Sequence, residues 1–205
     1  GWDLVLDARG AADLTTATAV LADRHRVVAG DIVDPRHRQA LVDEAVALGG
    51  ADALVNNAST LGHSPLPRLS ALDPGTFETI LDTNVVAPLA LVQGFLSQLR
   101  TRHGRVLNVT SDAAVEAYPG WGGYGSSKAA LEQLTRILAE EEPLLHVYAV
   151  DPGDMRTRMH QDAFPGEDIS DRPEPSTVVP GLVRLLTDDL PNGRYQASAL
   201  LPVSP

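Results

Sequence analysis

The chain has 205 residues, 43% of them hydrophobic and 21% charged, a length and balance that suit one globular domain with a buried core. Sixteen Lys and Arg stand against 27 Asp and Glu, and the formal net charge of −11 disfavours a nucleic-acid partner or an anionic membrane surface. There is no cysteine, which excludes a thiolate nucleophile, a disulfide scaffold and any Cys-ligated metal site.

Leu4-Val5-Leu6 is an apolar run closed by Asp7-Ala8-Arg9-Gly10, and it predicts a strand. A helix is expected from Ala11 to about Asp23, then a short strand at Val27-Val28-Ala29, ended by Gly30-Asp31. Asp34-Pro35 sets a capping carboxylate before a proline at the first helical position and opens a helix to about Leu48. Ala53-Leu54-Val55 reads as a third strand running into Asn56-Asn57. A second Asp-Pro start at Asp73-Pro74 opens a long helix, with Phe77, Ile80, Leu81, Val85 and Leu89 at helical spacing and Pro88 expected to kink it. Arg105 to Thr110 is a buried strand, Tyr124 to about Glu142 a helix, and Val147 to Val150 a strand ending at Asp151-Pro152-Gly153. The stretch 154–175 is polar, aperiodic and interrupted by Pro165, Gly166, Pro173 and Pro175, the pattern of a lid over a site. A short helix at 178–186 and a last strand at 195–201 close the chain. Strict alternation of strand and helix predicts an α/β fold: a doubly wound parallel sheet with helices on both faces, in a single domain over 1–205. No apolar run approaches the ~18 residues of a membrane span, and residues 1–10 lack a signal pattern, so a soluble cytoplasmic protein is expected.

Open parallel sheets bind ligands beyond the carboxyl ends of their strands. That rule singles out Asp31, Asn56-Asn57, Thr110-Ser111 and Asp151-Pro152-Gly153. Tyr124 and Lys128 lie four apart at a helix start and project from one face. An ammonium beside a phenol favours the phenolate and is expected to lower a pKa that is ordinarily about 10, which makes a proton donor and acceptor. Histidines 25, 37, 63, 103, 146 and 160 show no metal-ligand spacing, so no metal is expected and most are read as surface residues. Gly-x-Ser-x-Gly, Ser-x-x-Lys around residue 125 and phosphate loops of the Walker type do not occur.

Tyr124-Gly125-Ser126-Ser127-Lys128, with Ser111 upstream at a strand end, is similar to the signature of the short-chain dehydrogenase/reductase family. Asn56-Asn57-Ala58 resembles that family's turn after its fourth strand, Asn84 in Thr83-Asn84-Val85 its helix asparagine, and Pro152 to Thr157 its Pro-Gly turn with a following threonine. The resemblance implies a Rossmann-like fold and hydride transfer between a nicotinamide dinucleotide and a small-molecule carbonyl or alcohol. It implies that Tyr124 protonates the nascent alkoxide, Lys128 lowers the Tyr124 pKa and holds the nicotinamide ribose, Ser111 holds the substrate oxygen, and Asn84 positions a water behind Lys128. Asp31 and Ile32 would contact adenine, Asn57 and Ala58 the adenosine side, and Pro152, Gly153, Met155 and Thr157 the nicotinamide. Glu116, Tyr118 and Trp121 would wall the substrate pocket, although the two aromatic residues could equally be packing. At the tip of the first strand, Ala8 fills the position of the family's NAD-selecting Asp and Arg9 that of a base facing the 2′-phosphate, which implies NADP(H), with NAD(H) possible. Homodimers or homotetramers are usual in the family.

One family feature has no counterpart. The first strand and its Thr-Gly-x-x-x-Gly-x-Gly loop, which hold the pyrophosphate, are missing from the sequence, a β-α unit of about 30 residues. The resulting sheet is expected to carry unpaired edges in its middle. The simpler expectation is that the 205 residues are a trimmed version of a longer protein; a non-catalytic, cofactor-sensing or partner-binding protein on the same fold is the alternative function.

Overall fold

The structure is a computed structural model that describes residues 1–21 and 25–201. In chain order it comprises β1 (Leu4–Ala8), α1 (Ala11–Thr18), β2 (His25–Ala29), α2 (Pro35–Ala47), β3 (Ala53–Asn56), α3 (Pro74–Leu81), α4 (Ala87–Arg102), β4 (Arg105–Val109), α5 (Gly122–Glu141), β5 (His146–Asp151), α6 (Arg158–Ala163), α7 (Val179–Thr187) and β6 (Gly193–Gln196). All strand pairs are parallel. They form two ladders, β1-β2 and β3-β4-β5-β6, and among the described residues none joins β1 to β3.

Packing bridges the interruption. Helix α2 rests on β1 and β2 and also on α4, which covers β3 and β4. One apolar core runs through Val5 and Val28 of the first ladder, Leu54, Val106 and Val147 of the second, and Leu41, Leu91, Phe95 and Leu99 of the two helices. Side chains alternate across a strand, so the neighbours Leu107, Tyr148 and Val150 face the opposite side, under Leu185 of α7 and Leu200. The sheet is thus covered on both faces, as the alternating pattern requires.

Asp34 and Asp73 cap their helices as expected, each carboxylate accepting a backbone N–H at 2.8 Å. The bend expected at Pro88 is expressed as a π turn at 82–86 just before it, where the Ala87 N–H reaches the Asp82 carbonyl. Pro88 has no N–H to offer the Asn84 carbonyl four residues back. The extra residue rotates the buried stripe, which continues through Asn84, Ala87, Pro88, Leu91, Phe95 and Leu99. Leu89, expected on that stripe, is 40% exposed. Contrary to the sequence expectation, the helical run Pro74–Arg102 is long and apolar enough to cross a membrane by composition; here much of its apolar face is core.

Other boundaries shift for identifiable reasons. The last strand is Gly193–Gln196 rather than 195–201, because Ala197–Leu200 coils into a 3₁₀ turn that buries Ala197 and Leu200 under α7. Helix α1 is described to Thr18, and the expected end at Asp23 lies outside the described residues. His37 is buried, not superficial, and meets Asp7 at 3.2 Å. The stretch 154–175 contains a short helix, α6, capped by the Thr157 hydroxyl.

Candidate active site

The first turn of α5 lies against the turn at Asp112–Ala114 because residue 125 is glycine: a Cβ there would stand 2.6 Å from the Ala113 carbonyl oxygen. This close approach brings Tyr124 to the end of β4. Ser111 follows that strand, its hydroxyl donating to Asp112 Oδ1 at 2.9 Å and accepting from the Ala113 N–H at 3.2 Å. Lys128, one helical turn beyond Tyr124, is 2% exposed. Its ammonium donates to the Val109 carbonyl at 2.8 Å and stands 5.5 Å from the centroid of the Tyr124 ring. The expected trio of Ser111, Tyr124 and Lys128 is therefore assembled in one place.

The electrostatics differ from the expectation in one respect. Burial is the largest influence on Tyr124 and pushes its phenol up to about 12; hydrogen bonding from the Ser111 and Ser59 hydroxyls works downward, and the carboxylates of Asp112 and Asp151 work upward. Burial also draws Lys128 down to about 8. Desolvation outweighs the neighbouring ammonium, so at neutral pH Tyr124 is a protonated phenol and Lys128 is mostly charged.

Asn84 is fully buried and its side-chain amide is committed. Its Oδ1 accepts from the Ser59 hydroxyl at 3.1 Å and the Thr60 N–H at 2.8 Å; its Nδ2 donates to the Thr60 carbonyl at 3.0 Å and to Ser127 Oγ at 2.9 Å. It ties the turn after β3 to α5.

The residues expected around a dinucleotide lie at the carboxyl ends of parallel strands. Arg9 is exposed beyond β1, with no hydrogen bond or ion pair among the described residues, while Asp7 is turned away toward His37. Asp31 is exposed beyond β2, its carboxylate accepting the Val33 N–H. The Ile32 side chain is 6% exposed and packs into the α2–α4 core, because the chain turns inward there to start α2. Only its backbone borders the strand end, and its carbonyl already accepts from Arg38. Asn57 and Ala58 are exposed beyond β3. Beyond β5, Gly153 adopts φ +75°, and a Cβ there would meet nothing within 4 Å, so this turn presents bare backbone to an open space. Met155 leans on the α7 core and Thr157 is spent on capping α6.

On the substrate side, Trp121 packs edge-on to Tyr124 at 5.7 Å and to Tyr118 at 6.5 Å. The Tyr118 hydroxyl donates to Asp112 Oδ2 at 3.0 Å, whereas Glu116 is exposed and has no side-chain partner among the described residues. Sequence reasoning missed the other half of this wall: Leu61 and Leu66 from the loop after β3, and Met159, Ala163 and Phe164 from the lid. Phe164 lies tilted against both Trp121, at 5.8 Å between ring centroids, and His160, at 4.9 Å. A cavity of about 220 Å³ opens beside Tyr118, lined by Arg68, Leu69, Pro119, Gly120 and Gly122.

Comparison with known proteins places this arrangement. The family model described as short chain dehydrogenase matches residues 1–168. The chain is 34% identical over 163 residues to an uncharacterised oxidoreductase of Saccharomyces cerevisiae, covering 77% of this chain and 63% of that protein. It is 35% identical over 111 residues to the sepiapterin reductase of Meriones unguiculatus, covering 53% of this chain and 42% of that one. The chain thus spans less than two thirds of the length of these curated relatives. A short chain dehydrogenase from Salmonella enterica serovar Typhi superposes with a TM-score of 0.87 at 25% identity, covering 95% of this chain and 85% of that one. One from Escherichia coli CFT073, complexed with NADPH, does so with a TM-score of 0.85 at 25% identity, over 95% and 85% of the respective chains.

Proposed function

Because this chain belongs to the short chain dehydrogenase family, we propose that it is an NADP(H)-dependent oxidoreductase that interconverts a small-molecule carbonyl and its alcohol. The observation that carries this reading is the Ser111–Tyr124–Lys128 cluster at the carboxyl end of β4, with Tyr124 and Lys128 buried and Ser111 half-buried beside them.

The residues present suit a nicotinamide dinucleotide at its two ends. Arg9 has no ion-pair partner among the described residues and stands where a 2′-phosphate would lie, and Asp7, which would repel that phosphate, is engaged by His37. Asp31, Asn57 and Ala58 are open at the adenosine side, and Pro152, Gly153 and Lys128 at the nicotinamide side. No residue is assigned to the pyrophosphate. When bound, the reduced nicotinamide supplies a hydride to the carbonyl carbon. Ser111 donates a hydrogen bond to the carbonyl oxygen as negative charge develops on it. Tyr124 gives that oxygen its phenolic proton, a contribution of about 10²–10⁴ in rate. Lys128, in van der Waals reach of the ring, stabilises the phenolate left behind, and a water on the Asn84 carbonyl returns the proton.

The same reading carries a cytoplasmic location and a homodimer or homotetramer, for which exposed Val86, Leu89 and Ile137 on the helices over the sheet offer apolar surface. The alternative on the same fold is a non-catalytic cofactor-sensing or partner-binding protein. A screen of NADPH oxidation over aldehydes and ketones separates the two: turnover is expected, and NADPH binding without turnover of any carbonyl supports the sensor.

A further inference from the structure

The last strand places a guanidinium beneath the reacting groups. β6 pairs with β5 so that Arg194 lies opposite Ala149, and since Tyr195 faces α7, Arg194 faces α5. There its Nε donates to Glu132 Oε1 at 2.9 Å, and its Nη2 donates to Asp151 Oδ2 at 3.1 Å and to the Ser111 carbonyl at 3.3 Å. Each acid has a second task. Glu132 accepts from the Thr110 hydroxyl at 2.8 Å, and Asp151 Oδ1 accepts the Gly153 N–H at 2.9 Å. Both carboxylates are 5% exposed. Glu132 also continues the stripe of α5 that carries Tyr124 and Lys128, at successive intervals of four residues.

On the reading of Tyr124 as proton donor, we infer that Arg194 is a positioning residue for this site: it holds the Ser111 main chain and the Asp151-Pro152-Gly153 turn against α5 and balances two buried carboxylates, of which Asp151 bears on Tyr124. One side chain touches α5 and the ends of β4 and β5, the elements that carry the acid, the oxygen-binding hydroxyl and the bare glycine turn. The rigid fork of arginine matters, because an ammonium cannot reach these partners in fixed directions. Without a cation, Glu132 and Asp151 would be buried and underpaired, a costly arrangement. The groups that bear on Tyr124 are Lys128 on its own helix, Ser59 after β3, Ser111 and Asp112 after β4, and Asp151 at the end of β5. On the lid side, His160 stands behind Phe164 and Trp121. Arg194 acts on this set by pairing with Asp151. Removing it leaves Asp151 freer to oppose the phenolate, so the pH limb set by Tyr124 moves upward.

The test compares the full chain with Arg194→Met and Arg194→Lys, following NADPH oxidation by a carbonyl found in the screen. Arg194→Met is expected to lower kcat by about 30-fold with the carbonyl KM within about threefold, a loss from misplacement rather than binding. Its basic pH limb should move up by roughly half a unit. Arg194→Lys restores the charge and hence the limb, but stays about fivefold below wild type in kcat because the geometry is not restored. In the cofactor-free protein the Gly153 amide resonance is expected to shift in Arg194→Met. Wild-type kcat within twofold in both variants overturns the inference, as does an unmoved Gly153 resonance. If Arg194→Met does not fold, Arg194→Lys decides: kcat within twofold of wild type overturns it. Full activity in Tyr124→Phe instead defeats the underlying reading.

Discussion

Replacing Lys128 by Met isolates the cost of burying its ammonium. The lysine is 2% exposed and its one hydrogen bond goes to the Val109 carbonyl. Burial draws its pKa from 10.5 to about 8, a difference worth about 3 kcal/mol. In the folded protein the proton leaves near pH 8, whereas the unfolded chain keeps it to about 10.5. Between those values the unfolded state binds more protons, so raising the pH stabilises the fold. Wild type should therefore gain about 2.5 kcal/mol over Lys128→Met between pH 7 and pH 10, most of the full linkage. The assay is urea unfolding of both proteins at closely spaced pH values, followed by circular dichroism and plotted as the difference in stability. Titrations common to both proteins cancel in that difference, and the pH-independent loss of the Val109 hydrogen bond only offsets it by a constant. Parallel curves, or a difference that falls as the pH rises, would refute the claim that Lys128 is held in a dry site.

Asn84→Ala removes four hydrogen bonds and leaves buried partners on Ser127 and Thr60; at about 1 kcal/mol each, the variant should lose about 3–4 kcal/mol in urea unfolding, and a loss under about 1 kcal/mol would contradict the tie. Arg9→Ala should weaken NADPH binding by about tenfold and leave NADH binding within about twofold, measured by quenching of the intrinsic fluorescence. Equal effects on both cofactors would remove Arg9 from the 2′-phosphate.

The strand ends were legible from sequence because each apolar run stops at a polar residue, and the Tyr124–Lys128 pair because a spacing of four is a property of one helix. Strand alternation accounts for Asp7 turning to the face opposite its neighbour Ala8, toward His37. What escaped notice depends on elements brought together by packing. The burial of Ile32 follows from α2 docking on α4, and the exposure of Leu89 from a π turn that shifts the helical phase by one residue. The direction of the Tyr124 shift depends on how completely Trp121, Leu61 and the lid exclude water, which spacing does not reveal. The acids Glu132 and Asp151 become partners only when β6 lies beside β5, and Arg194 in Gly-Arg-Tyr carries no local signal of that role.

The most direct test of the central claim is the rate of NADPH oxidation by Tyr124→Phe, measured with the best carbonyl from the screen on the full chain. Removing one hydroxyl deletes the proton donor while keeping the ring that packs on Trp121 and faces Lys128. The account predicts a fall in kcat of about 10³-fold, with NADPH affinity unchanged within about threefold. Turnover equal to wild type would contradict it.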